Sequence, residues 1–274
     1  VLPALEAVCP IREHRPAAVE LIDDLILQAS KNNPAMLRRR WWVSGDPQAV
    51  LICEMFDDDQ VALTRRLNNL EADLRSRTAA RVFRQILEPA RQADVWEVRK
   101  SGLGLLMSRP GPSQPYAFIE DTAVDPARLP EYIRRLDVLL AEEGITQTGH
   151  YAHASVGCLH VRPVLNLRRG EDIARMRRIA ERVSSLVLDF GGTMNGEHGD
   201  GLACSIWLER LYGPRIIEAF KMIKQAFDPH GILNPGKIVD PLPMHERLRY
   251  GEGYASHESV TVLDFTLHGG MAGL

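Results

Sequence analysis

The alternation of strand-like and helix-like segments constrains the fold of this chain more than any other feature of its sequence. Short apolar runs that predict strands occupy 49–56, 79–83, 116–120, 146–151 and 159–165. Stretches with helical apolar spacing occupy 14–40, 57–77, 89–100, 129–143, 171–189 and 202–227, the first broken by Asn-Asn-Pro at 32–34. None of these units carries the Gly-x-Gly-x-x-Gly turn of a Rossmann fold. The pattern therefore predicts an α+β fold: a ferredoxin-like antiparallel sheet with helices packed on it, followed by additional C-terminal helices.

Charge and composition narrow the classes of partner and location. The formal net charge is −3, and acidic neighbours offset the arginine-rich stretches, so nucleic acid is not expected as a partner. The four cysteines are scattered and form no Cys-x-x-Cys pair, which argues against disulfides or a thiolate zinc site. No apolar run approaches the ~20 residues that span a bilayer. We therefore expect a cytoplasmic protein, with a peripheral position at the inner membrane face as the alternative.

His153 and His160 enclose a short segment that contains Gly157. Neutral imidazole is a common ligand of borderline metal ions. With a glycine between them, the two rings could face each other across a turn that leads into the strand at 159–165. This spacing makes half of a metal site plausible. On spacing alone, two histidines hydrogen-bonded to backbone carbonyls remain the better alternative.

The stretch 191–201 reads Gly-Gly-Thr-Met-Asn-Gly-Glu-His-Gly-Asp-Gly. Its glycines allow a close approach of the backbone to a ligand, but it lacks the Gly-Lys-Ser/Thr end of a phosphate-binding loop. Glu197 and His198 suit one metal ligand and one general base, because the two roles need different charges and pKa values. A flexible surface turn is the alternative.

A third stretch, at 227–237, places Asn234 between two turns that contain proline. Prolines restrict the backbone on both sides, so the amide could make oriented hydrogen bonds to a planar ligand. A loop that only ends a helix explains this stretch equally well when it is considered alone.

Taken together, the three stretches resemble the C-terminal domain of the FAD-linked oxidases in the vanillyl-alcohol-oxidase superfamily. The most specific matches are Asn-Gly-Glu-His-Gly-Asp-Gly at 195–201 and Phe-Asp-Pro-His-Gly-Ile-Leu-Asn-Pro-Gly-Lys at 227–237. Within the superfamily the chain is similar to the branch of D-lactate and D-2-hydroxyglutarate dehydrogenases and glycolate-oxidase flavin subunits. The family usually carries Asp and Asn where this chain has Val156 and Cys158, a departure that bears on the identity of the substrate.

The resemblance implies a metal-assisted oxidation. His153, His160 and Glu197 would ligate a divalent metal, zinc or manganese, and His198 would be the general base. The implied reaction converts a D-2-hydroxy acid to a 2-oxo acid, with FAD carrying the redox chemistry. From the residues alone, two alternatives stay open: a metal-dependent hydrolase with a two-His, one-Glu site, and a non-catalytic ferredoxin-like interaction domain.

The resemblance also implies the surroundings of the site. Arg99 would bind the substrate carboxylate, and Asn195 and Asn234 would lie beside the flavin. Family members carry a lysine near 116–120, and this chain has none there. Residues 1–240 would form the C-terminal substrate domain, and 241–274 a linker towards an iron–sulfur domain. We expect a fragment that is inactive without its N-terminal FAD-binding domain.

Overall fold

A computed structural model describes residues 1–255 and 261–266, and in it six strands form one antiparallel sheet against which helices pack. The strands are β1 (Ala18–Asp23), β2 (Ala49–Glu54), β3 (Gln114–Pro115), β4 (Thr122–Ala123), β5 (Thr148–His153) and β6 (Cys158–Leu165). The first helices are α1 (Leu2–Glu6), α2 (Val8–Glu13), α3 (Asp24–Asn32), α4 (Pro34–Leu37), α5 (Gln60–Arg77) and α6 (Pro89–Lys100). The later ones are α7 (Gly102–Met107), α8 (Leu129–Glu142), α9 (Gly170–Asp189), α10 (Gly201–Cys204), α11 (Leu208–Tyr212) and α12 (Pro214–Phe227). The predicted α+β fold with an antiparallel sheet is confirmed.

The strand register gathers polar side chains on one face of the sheet. The strand order is β2-β1-β5-β6-β3, and β4 pairs with the edge of β6. Glu20 lies opposite His153, and Tyr151 lies opposite His160. Residues opposite each other in an antiparallel pair share a face, and alternate residues of a strand do the same. Glu20, Tyr151, His153, His160 and Arg162 therefore line one surface, which we call the polar face.

The other face of the same strands is apolar and carries the main core. It is formed by Val19, Leu21, Ala152, Leu159 and Val161, all of them buried. Helices α1, α2, α8 and α9 cover this face with further buried aliphatic side chains. Each fully buried side chain of this kind stabilises the fold by about 1.5–3 kcal/mol. The core thus fixes the strands whose alternate residues build the polar face.

A smaller core covers one end of the polar face. Ile22 and Tyr151 pack there with apolar side chains of α3, α6 and α7. Among the described residues, no helix combines the length and apolar content needed to cross a membrane. The predicted linker at 241–274 falls partly on 256–260 and 267–274, which lie outside the described residues.

Several predicted elements begin and end as their capping residues indicate. The carboxylate of Asp59 accepts hydrogen bonds from the backbone N–H groups of Val61 and Ala62, both at 3.1 Å, and so starts α5. Gly144 follows α8 with a φ of 76°, the left-handed conformation that ends many helices. The predicted helix at 202–227 divides into α10, a short 3-10 turn, α11 and α12.

The helix predicted from residue 14 is wrong in its first half. Ala18–Asp23 forms β1, and α3 begins only at Asp24. The spacing of Val19 and Ile22 fits a helix, but it also fits a central strand that is covered on both faces. Since β1 pairs with β2 on one side and β5 on the other, hydrogen bonding within the sheet overrides the local pattern.

The strands predicted at 79–83 and 116–120 are also wrong. Residues 80–88 have no regular structure, and Val82 is exposed, so this run has no partner strand. Around 116–120, the residues that pair with β6 are the ones before and after this segment, in β3 and β4. Phe118 and Ile119 are buried by packing, which needs no strand ladder. The apolar run at 116–120 therefore located a buried segment without identifying its backbone conformation, whereas the run at 79–83 located neither.

Candidate active site

Three imidazole rings converge on one carboxylate oxygen. The Nε2 atoms of His153, His160 and His198 lie 3.0, 3.3 and 3.4 Å from Oε1 of Glu197. His160 is buried, whereas the side chains of His153, His198 and Glu197 are 34%, 45% and 46% exposed. The structure thus brings together the four residues that the sequence proposed for metal binding and base catalysis, in a centre that is open to solvent on one side.

A tight turn places His153 and His160. His153 ends β5 and His160 lies in β6, and a short 3-10 turn at Ala154–Val156 joins the two strands through Gly157. Gly157 has a φ of 77°, and a Cβ added there would lie 1.8 Å from the backbone oxygen of Val124. Glycine is therefore required at this position, which explains why it lies between the two histidines.

Asp121 fastens the loop that carries Glu197 and His198. The backbone N–H groups of Glu197 and His198 donate to its Oδ2 at 2.9 and 2.7 Å, and the Cys158 thiol lies 3.2 Å from Oδ1. Burial alone would raise the pKa of Asp121, but the N–H groups of His198 and Glu197 hold it below its usual range. Asp121 was not predicted from the sequence.

A second carboxylate, Glu20, lies behind His153. Nδ1 of His153 forms a hydrogen bond of 2.8 Å with Oε1 of Glu20, which raises the pKa of this histidine. Arg99, on α6, binds the other oxygen of Glu20 through Nε at 2.9 Å and Nη2 at 2.6 Å. The Glu20 and Arg99 side chains are only 9% and 11% exposed. The arginine that the sequence proposed as a substrate ligand therefore lies beside the site and contacts Glu20.

A third carboxylate, Glu120, lies behind His198. Its Oε1 is 3.2 Å from Nδ1 of His198, and its Oε2 forms an ion pair with Arg162. Burial raises the pKa of Glu120, and the positive charge of Arg162 opposes that effect. Residues 116–120 contain no lysine, and the guanidinium of Arg162 lies on the polar face beside Glu120.

The electrostatics of His160 favour a metal ligand. Burial, and then the neighbouring His153 and His198, lower its pKa to about 3, so its ring is neutral. The ring stacks on that of His198, with centroids 5.0 Å apart and planes 16° apart. Neutral imidazoles and a carboxylate that meet at one point form a donor set that fits a divalent cation such as zinc or manganese.

One oxygen or nitrogen atom from each of Asp121, His160, Glu197 and His198 also lies within 4.8 Å of the others. This second grouping includes Asp121 and leaves out His153. Both oxygens of Asp121 already contact the loop and the Cys158 thiol, so we interpret Asp121 as the residue that fastens the loop.

The two asparagines proposed for flavin binding lie in different loops. Asn195 precedes Glu197, and its Nδ2 donates to Asp200 at 2.8 Å. Asn234 is exposed in the loop after α12, with a φ of 52°, and its Oδ1 accepts a hydrogen bond from Lys237 at 2.7 Å. The amide of Asn195 is thus part of the glycine-rich loop itself, whereas Asn234 belongs to a separate element.

Sequence reasoning missed the carboxylates Glu20, Glu120 and Asp121. The signal that could have found them is an acidic residue inside or directly after an apolar run, as in Ala-Val-Glu-Leu-Ile and Phe-Ile-Glu-Asp. A buried charge needs a partner, so such residues point to a histidine or arginine elsewhere in the fold.

Comparison with known proteins places the chain in a family. The profile of the FAD linked oxidases, C-terminal domain, matches residues 1–238. The D-2-hydroxyglutarate dehydrogenase of Pseudomonas putida is 30% identical over 256 residues, which cover 91% of this chain and 25% of that protein. The corresponding enzyme of Escherichia coli is 31% identical over 238 residues, covering 84% of this chain and 23% of that protein. The chain therefore spans about a quarter of the length of these curated relatives.

A solved structure supports the same fold. The 4-ethylphenol oxidase from Gulosibacter chungangensis, in its isoeugenol complex, superposes with a TM-score of 0.58 at 14% identity. The match covers 90% of this chain and 52% of that one. At this identity the likeness concerns the fold alone, and it agrees with the family profile. The chain belongs to the family of FAD linked oxidases, as their C-terminal domain.

Proposed function

We propose that this chain is the substrate- and metal-binding domain of a flavin-dependent oxidoreductase that oxidises a D-2-hydroxy acid to a 2-oxo acid. The observation that carries the proposal is the convergence of three imidazole Nε2 atoms on Oε1 of Glu197. The relatives named D-2-hydroxyglutarate dehydrogenase support this class of substrate. Family membership favours flavin chemistry over a metal-dependent hydrolase or a non-catalytic interaction domain.

The metal ligands in this proposal are His153, His160 and Glu197. Two neutral imidazoles and one carboxylate leave a divalent cation, zinc or manganese, with a net positive charge and open coordination positions. A metal held there would bind oxygens of the substrate and lower the pKa of its hydroxyl group. The exposed fractions of His153 and Glu197 leave a path by which a small acid reaches this point.

His198 is the proposed general base. Its Nε2 faces the same centre as the metal ligands, 3.4 Å from Oε1 of Glu197, so it is placed to accept the substrate hydroxyl proton. FAD, when bound, supplies the acceptor for the α-hydride. The backbone of His198 is fixed by Asp121, which limits the positions that the ring can take.

Arg99 is the proposed ligand of the substrate carboxylate. Its contacts with Glu20 use Nε and Nη2, and Nη1 takes no part in them. A charge-assisted hydrogen bond from Nη1 to the substrate would complement the metal at the other end of a 2-hydroxy acid. The buried stem of Arg99 gives this group a fixed position on the polar face.

The proposed partner is the FAD-binding domain of the same polypeptide, with Asn195 and Asn234 on the flavin side. Residues 1–240 would form the substrate domain, and 241–274 would lead towards an iron–sulfur domain. Helix α12 buries none of its residues, and it exposes large apolar side chains together with the loop that follows. These are Met222, Ile223, Phe227, Ile232 and Leu233. Such a patch, next to Asn234, suits a permanent contact with another domain.

The test uses the flavin-loaded full-length protein and three variants. His198→Ala should mainly lower kcat, because it removes the base. His160→Ala should lose bound metal and raise KM for a D-2-hydroxy acid. His14→Ala, which affects a histidine that pairs with Asp73 and is not part of the candidate site, serves as the control. Full 2-hydroxy-acid turnover in both site variants would refute the proposal, and hydrolysis by the isolated chain without flavin would support the hydrolase instead.

A further inference from the structure

We infer that Glu20 is a positioning residue of the metal centre: it holds His153 with the proton on Nδ1, so that Nε2 faces Glu197, and Arg99 fixes Glu20 for this task. The inference deepens the proposed function, because it rests on His153 as a metal ligand. It gives Arg99 a task besides binding the substrate.

The geometry divides the two oxygens of Glu20 between two partners. Oε1 is 2.8 Å from Nδ1 of His153, and Oε2 is 2.9 Å from Nε of Arg99. Glu20 also lies opposite His153 in the register of β1 and β5, so the backbone of the sheet sets their separation. The carboxylate is thus fixed by a strand, by an arginine and by the ring that it orients.

Donor and acceptor chemistry then assigns the proton. A carboxylate only accepts hydrogen bonds, and an arginine only donates them. Nδ1 of His153 must therefore be the donor in its contact with Glu20. In a neutral imidazole with the proton on Nδ1, the lone pair is on Nε2. Nε2 lies 3.0 Å from Oε1 of Glu197, at the point where the other imidazoles meet; without a cation it can share a proton with that carboxylate, and a bound cation would take the Nε2 lone pair instead.

A carboxylate that accepts the second N–H of a metal-bound histidine fixes the tautomer of that histidine and strengthens it as a ligand. The gain in metal affinity is about 10–100-fold. The opposite tautomer would carry its proton on Nε2 and could not bind a cation at the centre. Glu20 therefore controls whether His153 can act as a ligand.

Substitution of Glu20 by glutamine gives a sharp test, because it changes one oxygen to an NH₂ group. Arg99 can only donate, so the remaining oxygen should stay on the arginine and the NH₂ group should face His153. Nδ1 must then accept, and the proton moves to Nε2. Long-range ¹H–¹⁵N spectra of the metal-free, ¹⁵N-histidine-labelled chain should show Nδ1 protonated in the wild type and unprotonated in Glu20→Gln.

Glu143→Gln is the matched control. Glu143 is 12% exposed and pairs with Arg178 and Arg182 on α9, away from the polar face. Its substitution should leave the His153 signals unchanged. An unprotonated Nδ1 in the wild-type spectrum would overturn the inference without any variant, and so would an unchanged tautomer in a folded Glu20→Gln.

The zinc affinity of the Arg99→Gln variant distinguishes a positioning role of Arg99 from a purely electrostatic effect of its charge. Loss of a positive charge near a cation site would strengthen zinc binding by electrostatics, whereas a loosened Glu20 would weaken it. We expect about tenfold weaker binding in competition with a chromophoric chelator. Equal or tighter binding would mean that Arg99 does not hold Glu20 for this purpose.

The two proposals fail separately. The tautomer measurement needs no metal, flavin or substrate. A chain that binds no zinc, or a full-length protein without 2-hydroxy-acid turnover, would count against the proposed function and leave the His153 result standing. Normal turnover with the opposite tautomer would count against this inference alone.

Discussion

Oε1 of Glu120 lies 3.2 Å from Nδ1 of His198. The other oxygen of Glu120 pairs with Arg162, so this side of the centre repeats the arrangement of Glu20 and Arg99 behind His153. Two histidines thus approach Glu197 from different elements, each with a buried carboxylate behind the ring. A carboxylate in this position favours the proton on Nδ1, which leaves Nε2 to accept a proton from a substrate.

Glu120→Gln should lower kcat of the flavin-loaded full-length protein by about 10²–10³-fold. The reason is that the amide would favour the tautomer of His198 that cannot act as a base. Bound metal and KM should change little, because Glu120 does not contact the proposed ligands His153 and His160. Steady-state kinetics and metal analysis of the same samples give the two readouts. Glu143→Gln is again the control, and a loss of metal parallel to the loss of kcat would contradict the assignment.

Gly157→Ala should destabilise the fold by roughly 3 kcal/mol or more. The new Cβ would lie 1.8 Å from the backbone oxygen of Val124, and φ is 77°. Gly144→Ala is matched for backbone conformation, with a φ of 76°, but has no atom within 4 Å of the new Cβ. It should cost only about 1 kcal/mol. Urea unfolding of both variants measures the difference, and equal losses would show that the close contact with Val124 is unimportant.

Stability should fall as pH rises above neutrality because of His150, which is buried on the core side of β5. Burial alone would lower its pKa, but Asp137 and Asp23, at 3.4 and 3.5 Å, raise it to about 9. The folded pKa exceeds the unfolded value of ~6.5. The contribution, on the order of 3 kcal/mol, is therefore complete below pH 6.5 and is lost as pH rises through 9.

Urea unfolding between pH 6 and 8 tests this dependence, since cysteines, tyrosines and lysines ordinarily titrate above that range. The wild-type free energy of unfolding should decline across the window. His150→Gln should be less stable at pH 6 and nearly flat towards pH 8. A wild-type decline that persists in the variant would assign the effect to other groups.

Phe227→Ser should weaken the contact with the FAD-binding domain. Phe227 is 82% exposed at the end of α12, so the change should leave the stability of the isolated chain almost unaffected. In the full-length protein it should increase flavin release on dilution by several-fold. Val82→Ser alters another exposed apolar side chain, in the irregular segment after α5, and should retain flavin normally. Equal flavin retention in both variants would place the domain contact elsewhere.

Local sequence signals correctly predicted the ends of helices that carry capping residues. Asp59 and Gly144 defined the start of α5 and the end of α8, because a cap acts on its own backbone. The strand β1 was missed, since its conformation is imposed by β2 and β5, which lie far along the chain. The same distinction applies to the segment around Phe118, which is buried without being a strand.

The same distinction between local signals and contacts of distant residues applies to the candidate site. His153, His160, Glu197 and His198 could be proposed because they fall in short motifs with unusual glycine content. Glu20 could not, because it is separated from His153 by 133 residues and acts only through the pairing of β1 with β5. Asp121, likewise, is 76 residues from Glu197. Motifs pointed to the residues that we propose for the chemistry, and only the fold identified the carboxylates that contact them.

The alternation of side chains along β1, β5 and β6 has a consequence for how this domain can change during evolution. Substitutions on the polar face can reshape the candidate site while every second residue keeps the core filled. Insertion or deletion of one residue in any of these strands would exchange the two sets and bury imidazoles among aliphatic chains. Descendants can therefore acquire new substrates by replacing residues in these strands, whereas changes in chain length are confined to the connecting loops.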